Sequence, residues 1–122
     1  MLDVIAIKDA VVNAIEDIKG FDITVLDVTK LTSMTSYMVI CSANSSRQTK
    51  AIADNIYVKL KEKGVIPRGQ EGEGTGDWVL VDLDDVIVHI MVPATRAYYN
   101  LEQLWGGDGK HITPDTAKPA TA

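Results

Sequence analysis

A chain of 122 residues has the length of one average domain, and its 46% apolar and 24% charged residues are typical of a globular protein. This composition excludes a disordered, a collagen-like and a membrane protein. Seventeen Asp and Glu against twelve Lys and Arg give a formal net charge of −5, which disfavours direct binding of RNA or DNA and favours a basic partner.

The cysteine content and the N-terminal residues indicate the cellular compartment in which the protein is expected. Cys41 is the only cysteine of the chain, so no internal disulfide forms and a reducing environment is expected. The first residues include Asp3 and Asp9, where a signal or transit peptide would be basic, and no apolar run reaches the roughly 18 residues that a membrane span needs. We therefore expect a cytoplasmic protein.

The first half of the domain predicts one helix followed by two strands. Apolar residues recur there at helical spacing: Val4, Ile7, Val11, Ile15 and Ile18. With Asp3 as N-cap and Gly20 as the C-terminal glycine, this pattern predicts the first helix. The partly alternating run 23–28 predicts a strand, and the continuous apolar run 37–41 predicts a central strand that is buried on both faces.

A second helix and two short connecting segments follow. Ser45 and Gln48 form a capping box, and apolar residues continue at helical spacing up to Gly64: Ala51, Ile52, Ile56 and Leu60. Residues 65–67 are interpreted as a short edge strand, because Pro67 cannot donate to a ladder. Residues 70–76 contain three glycines and are interpreted as a loop.

Residues 78–91 predict a β-hairpin around an Asp84-Asp85 turn, and a two-residue turn determines which residues pair. One face is wholly apolar and suited to packing under helices, with these pairs: Leu83 and Val86, Val81 and Val88, Val79 and Ile90. The opposite face, here called the hairpin face, is mixed, with these pairs: Trp78 and Met91, Leu80 and His89, Asp82 and Ile87.

The hairpin face has two interpretations that the residues alone leave evenly balanced. Trp is over-represented as an anchor at interfaces and Met adapts to the shape of a partner, so the face suits a recognition surface. Alternatively, a helix of the domain covers this face and Trp78 is a core residue, because three helices are enough to cover both faces of a small sheet.

The last part of the chain predicts a third helix and a tail. Pro93 suits a first helical turn, and an apolar stripe follows: Ala97, Tyr98, Leu101, Leu104 and Trp105. Arg96 and Tyr99 lie beside this stripe. Two alternatives are open for them: both side chains bond to the acidic hairpin, or Arg96 is solvated and Tyr99 is partly buried. Residues 106–122 are small, polar and Pro-containing, which predicts a flexible tail after a domain of residues 1–105.

The residues do not form a catalytic constellation. Asp82 and Asp84 have the D-x-D spacing of a metal-dependent nucleotidyl transfer site, but hairpin turns favour Asp without any metal. His89 and His111 are the only histidines, too few for a multi-histidine metal site, and His89 is interpreted as structural rather than as an acid-base partner of Asp82. Cys41 lies in an apolar run and is interpreted as a packing residue. We expect no catalytic residue, metal or cofactor.

The order of the motifs resembles the ribosomal silencing factor family, also called Iojap or RsfS. The elements that carry the resemblance cover nearly all of residues 3–105: the strand 37–41, SSRQ at 45–48, GQEGEGTGDWVLVDLDDVIVHIM at 69–91, Arg96, Tyr99, and LEQLW at 101–105. The resemblance implies a mixed α/β (α+β) sheet packed with helices, similar to nucleotidyltransferases although the family is not known as an enzyme. It also implies a homodimer.

The function that the resemblance implies is repression of translation. Members bind a protein of the large ribosomal subunit, the one numbered fourteen, at the intersubunit face. There they block joining of the small subunit when nutrients are scarce. The alternatives are a metal-dependent nucleotidyltransferase-like enzyme and an assembly factor of the large subunit. We expect no DNA and no membrane as a partner.

The family motif matches the following positions: Glu71, Gly72, Trp78, Asp82, His89, Arg96, Tyr99, Leu101, Glu102, Leu104 and Trp105. Because several of these lie on the hairpin face, the resemblance favours the recognition surface. The residues expected to bind the partner are Trp78, Leu80, Asp82, His89, Met91 and Glu71. Two positions depart from the family pattern: Ser36 stands where Asp is usual, which puts an acidic contact there in doubt, and Asp84 stands in a turn where Gly is usual.

Overall fold

A five-stranded mixed sheet with three helices forms the part of the chain that the computed structural model describes, residues 3–71 and 76–100. The elements are α1 (Val4–Asp17), β1 (Phe21–Asp27), β2 (Tyr37–Ser42), α2 (Ser46–Glu62), β3 (Gly69–Glu71), β4 (Trp78–Asp82), β5 (Val86–Met91) and α3 (Pro93–Tyr99). The strand order is β1-β2-β5-β4-β3. Only the β2–β5 pair is parallel. The mixed α+β fold expected from the sequence is confirmed.

The first two helices begin where their capping residues predicted. The Asp3 carboxylate accepts the Ala6 N–H at 2.8 Å, and the Ser45 hydroxyl accepts the Gln48 N–H at 3.2 Å. Each bond satisfies an amide that has no partner inside the helix. In the ranges 3–71 and 76–100, none of the helices is long and apolar enough to cross a membrane.

The end of α1 differs from the expectation that Gly20 is the left-handed residue. Lys19 adopts the positive φ, 65°, directly after the C-cap Ile18. Gly20 is needed for a different reason, because a Cβ at this position would lie 2.4 Å from the Ile15 side chain. The glycine therefore permits a close approach of the chain to α1 as it enters β1.

The edge strand expected at residues 65–67 is wrong. These residues are not in a strand, and the edge strand is instead β3, which begins two residues after Pro67 and ends inside the segment interpreted as a loop. Pro67 has no N–H to donate, and pairing with β4 begins at Arg68, whose N–H donates to the Asp82 carbonyl at 2.7 Å. All three residues of β3 pair with β4, so the expectation of a loop at residues 70–76 is also wrong for Gln70 and Glu71.

The two faces of the sheet are buried separately. Helices α1 and α2 cover one face, where the apolar side of the hairpin packs against Ile15, Ile52 and Ile56. The other face, on the α3 side, carries a smaller cluster: Val28, Met38, Ile40, Trp78 and Met91, with Leu26 and Tyr99 packed against it. The hairpin face therefore forms part of a second apolar core.

The start of β4 is joined to the N-terminus of α2. The Thr49 hydroxyl donates to the Gly76 carbonyl. Gly76 has a φ of 78°, and a Cβ there would lie 2.8 Å from the Ser46 carbonyl oxygen. Only glycine meets both the backbone conformation and the close approach. This contact fixes where Trp78 enters the sheet, two residues later.

Candidate functional site

The hairpin has the register derived from its sequence. Trp78 pairs with Met91, Leu80 with His89, and Asp82 with Ile87. The Leu83 N–H donates to the Val86 carbonyl at 2.9 Å, which closes the turn around Asp84 and Asp85. The prediction that these side chains share one face of the sheet is confirmed, because directly opposed residues point to the same side.

The apolar members of the hairpin face are buried. Trp78 is 5% exposed, Leu80 is 3% exposed, and His89 and Met91 have no exposed surface. Asp82, at the end of β4, is half-buried. The backbone of Glu71 pairs with Leu80, while its side chain lies outside the described structure. This burial agrees with the alternative in which Trp78 is a core residue; the role of these residues in binding a partner stays a prediction.

Trp78 and His89 form the polar contact inside the α3-side core. The indole Nε1 donates to Nδ1 of His89 at 2.8 Å, and the ring centroids lie 5.7 Å apart. This bond requires Nδ1 to be without a proton, so the imidazole acts here as an acceptor. A buried Trp N–H would otherwise cost free energy. His89 is thus a structural partner of Trp78, in agreement with the sequence-based interpretation of His89 as a structural residue.

Helix α3 closes over this core through its aromatic residues. The Tyr99 ring lies 4.6 Å from that of Trp78. The Tyr98 ring meets Tyr99 edge-on at 5.1 Å and is 65% exposed. Burial raises the pKa of the Tyr99 phenol, with a smaller contribution from Tyr98. Of the two alternatives for Tyr99, a bond to the hairpin or partial burial, the structure shows partial burial, with the ring in tilted contact with that of Trp78.

Arg96 attaches α3 to the other half of the sheet. Its guanidinium donates to the Asp22 carbonyl, to the Ser42 hydroxyl at 2.9 Å and to the Thr24 hydroxyl at 3.0 Å. These acceptors lie on β1 and β2, whereas the two alternatives from the sequence were the acidic hairpin and solvent. Spacing along the chain contained no signal for this contact, because 72 residues separate Arg96 from Thr24.

Loss of the Arg96 contacts is expected to lower stability. Since hydrogen bonds to a charged group contribute about 1.5–3 kcal/mol, Arg96→Ala should reduce the free energy of unfolding by about 2–3 kcal/mol in urea denaturation. Arg68→Ala is the matched control, because Arg68 forms an exposed ion pair with Asp84 at 2.8 Å that should contribute less than about 1 kcal/mol. Equal losses in the two variants would show that Arg96 does not hold α3 in place.

The aspartates of the turn are engaged in the turn itself. Oδ1 of Asp82 accepts the Asp84 N–H at 2.8 Å, and the Asp84 carboxylate pairs with Arg68. Asp84 adopts a φ of 73°, a conformation that Asp tolerates better than most residues. These contacts support the turn interpretation over a metal site. The thiol of Cys41 on β2 is buried, which raises its pKa to about 12, as suits a packing residue.

Exposed apolar side chains lie on α3 and in the segment between β1 and β2. The Tyr98 ring is 65% exposed, and the exposed part of α3 around it is called here the α3-side surface. Leu31 and Met34 are exposed as well, but they follow Val28, at the end of β1 and β2 opposite to the one that Arg96 contacts. Sequence reasoning missed this surface because Tyr98 was assigned to the apolar stripe of the third helix and the surface was sought on the hairpin.

Several positions named from the sequence lie outside the described residues. They are Gly72, Leu101, Glu102, Leu104, Trp105 and the tail 106–122. The third helix ends at Tyr99 in the described structure, where Asn100 takes a left-handed conformation with a φ of 50°. The boundary between domain and tail therefore stays a prediction.

Comparisons with known proteins agree on one family. The family model described as "Ribosomal silencing factor during starvation" matches residues 2–122. The ribosomal silencing factor of Chromobacterium violaceum is 47% identical over 121 residues, which cover 99% of each chain. A crystal structure of a Chromobacterium violaceum protein, also 47% identical, superposes with a TM-score of 0.85 over 97% of this chain and 98% of that one.

A more distant relative has a descriptive name. The mouse protein "Mitochondrial assembly of ribosomal large subunit protein 1" is 33% identical over 100 residues, covering 80% of this chain and 44% of the mouse protein. Its name places that protein in the assembly of a large ribosomal subunit.

Proposed function

The chain belongs to the ribosomal silencing factor family, and we propose that it binds the free large ribosomal subunit in the cytoplasm and represses translation by preventing the small subunit from joining. The observation that carries the proposal is the family match over residues 2–122. The name of the mouse relative supports the large subunit as the target.

The partner on the subunit is the ribosomal protein numbered fourteen, at the intersubunit face. Net charge supports a protein as the partner, because ribosomal proteins are basic where they contact RNA and this chain carries −5. Opposite charges accelerate the encounter of two proteins and suppress wrong partners. The proposed free form of the chain is a homodimer.

The mechanism is steric and makes or breaks no bond. A protein that buries a standard patch of about 800 Å² on each partner is held firmly enough to place its bulk where the small subunit must dock. The contacts of Asp82 and Asp84 within the turn support this role over that of a nucleotidyltransferase-like enzyme, since both carboxylates already have partners.

The contact area proposed on this chain is the α3-side surface, with the hairpin face beneath it. Trp78, Leu80, His89 and Met91 are buried, so they act by holding Tyr99 and α3 in position rather than by direct contact. Asp82, half-buried at the end of β4, and Glu71 are the acidic residues proposed to contact a basic partner. The exposed ring of Tyr98 supplies the kind of aromatic anchor that dominates interfaces.

Binding to the isolated ribosomal protein tests this assignment by calorimetry. Tyr98→Ala is expected to weaken binding by at least about tenfold, which is the cost of removing one interface anchor. Ile66→Ala is the matched control, since Ile66 is 66% exposed and Tyr98 65%, and it should change binding less than twofold. Absence of binding by the unaltered chain would contradict the proposed partner. Equal effects of the two substitutions would contradict the proposed surface.

A second candidate function is assistance in the assembly of the large subunit, which the name of the mouse relative favours. An assembly factor accumulates on immature particles and leaves the joining of mature subunits unchanged. Purified mature subunits therefore distinguish the two functions, because only a blocker reduces their joining.

A further inference from the structure

Positive charge is concentrated on one helix of an otherwise acidic chain. The segment from Ser45 to Lys63, which is α2 with its two caps, contains five Lys and Arg against two Asp and Glu, a net charge of +3. Because the whole chain carries −5, all remaining residues together carry −8. The net charge that disfavours nucleic acid binding is thus an average over two regions of opposite sign.

Three cations of α2 are exposed on the side of the helix away from its buried residues, although the Lys50 side chain also passes close to Gly76 at the start of β4. The residues that α2 buries against the sheet lie on one side of the helix: Thr49, Ile52, Ala53, Ile56 and Leu60. The opposite side, here called the outer α2 face, carries Arg47, Lys50 and Lys61, all of them exposed. At a rise of 1.5 Å per residue, these three positions extend over about 20 Å. These three cations are called here the basic strip: Arg47 and Lys50 lie near the start of the helix and Lys61 near its end, with the exposed Asp54 and Val58 between them.

Helix stability explains only part of this strip. Lys59 and Lys61 lie in the last turn, where cations interact favourably with the helix dipole. Arg47 lies in the first turn, where the same dipole disfavours a cation, and that turn contains no acidic residue. Lys50 lies just beyond this turn, so the helix dipole does not account for it either.

The positive charges of the strip are also not paired with carboxylates of the described residues. Within residues 3–71 and 76–100, the ion pairs are Lys8 with Asp9 and Arg68 with Asp84, so the cations of the outer α2 face have no carboxylate within 4.0 Å. Asp54 lies on the outer α2 face as well. It lowers the net charge of that face but forms no ion pair with Lys50. The exposed Tyr57 lies at the edge of the strip.

We propose that the outer α2 face binds the phosphate backbone of structured RNA. This inference rests on the proposed function, in which that RNA is the ribosomal RNA beside the protein target. Arg47 and Lys50 lie close enough together to contact neighbouring phosphates of one strand, and Lys61, about 16 Å further along the helix, contacts a more distant phosphate. Each contact releases counterions bound there. The α3-side surface lies on the other face of the sheet, so protein and RNA are bound by different areas of the chain.

Fluorescence anisotropy with a labelled RNA duplex of about 20 base pairs tests the proposal on the full chain. The variant Arg47→Gln/Lys50→Gln/Lys61→Gln is compared with Lys19→Gln/Lys30→Gln/Arg68→Gln. Both triple variants change the formal charge from −5 to −8, and all six side chains are exposed. At about 50 mM KCl the α2 variant should bind the RNA at least about tenfold more weakly than the unaltered chain. The control variant should bind within about twofold of it.

Salt dependence gives a second readout. Loss of three phosphate contacts should reduce the slope of log K against log salt concentration by about 2–3. Equal weakening in both variants would mean that net charge alone acts, and failure of the unaltered chain to bind RNA would also overturn the proposal. The α2 variant should keep its affinity for the isolated ribosomal protein. A chain that binds this protein but not RNA refutes the inference and leaves the proposed function intact.

Discussion

Replacing Trp78 by Ala is expected to lower the free energy of unfolding by about 3–5 kcal/mol, as large-to-small changes of buried aromatic residues do. The side chain is 5% exposed, stacks on Tyr99 at 4.6 Å and donates to His89. Its removal leaves a cavity in the α3-side core and an imidazole nitrogen without the indole donor. Urea denaturation followed by circular dichroism measures the loss.

Two further variants separate the stability that comes from packing of a buried ring from that of an exposed one. Trp78→Phe keeps one aromatic ring but loses the second ring and the N–H that His89 accepts, so it should cost more than the hydrogen bond alone, about 1–2 kcal/mol, and less than Trp78→Ala. Tyr98→Ala removes an exposed ring from the neighbouring helix and should change stability by less than about 0.5 kcal/mol. A Trp78→Ala variant as stable as the unaltered chain would show that the hairpin face is not part of a packed core.

The hairpin register could be predicted because two local rules determine it. A two-residue turn at Asp84 and Asp85 sets which residues are opposed, and the period of two along each strand then assigns every side chain to a face. The caps at Asp3 and Ser45 are likewise local, since each side chain reaches an amide three residues away. Elements defined by such short-range chemistry appear in the structure where the sequence indicates them.

What covers the hairpin face could not be predicted. A Trp, a Met, a Leu and a His on one face suit an interface and a core equally, because both environments are apolar with a few satisfied polar groups. The choice depends on the position of α3, which Arg96 fixes through acceptors on β1 and β2. No periodicity along the chain encodes a contact between such distant segments.

Backbone details were missed for a similar reason. Lys19 takes the left-handed conformation that the glycine pattern assigned to Gly20, because the tight approach to Ile15 requires a residue without a Cβ at the next position. The edge strand β3 follows Pro67 rather than containing it, since pairing needs the N–H of Arg68. Both outcomes follow from tertiary contacts that outweigh local preference.

The largest functional effect is expected on subunit joining. When the chain is present at about ten times its dissociation constant, about nine-tenths of the large subunits are occupied, and the joined particle should fall by about tenfold. The physical reason is that an occupied intersubunit face excludes the small subunit for as long as the chain stays bound. Tyr98→Ala should shift this effect to higher protein concentration, whereas Ile66→Ala should not.

Sedimentation of purified mature subunits with the added chain tests the central claim most directly. We expect the chain to travel with the free large subunit, to be absent from the small subunit, and to reduce the amount of joined particle as its concentration rises. A chain that travels with no ribosomal particle, or that binds the large subunit while the amount of joined particle stays unchanged, would contradict the claim.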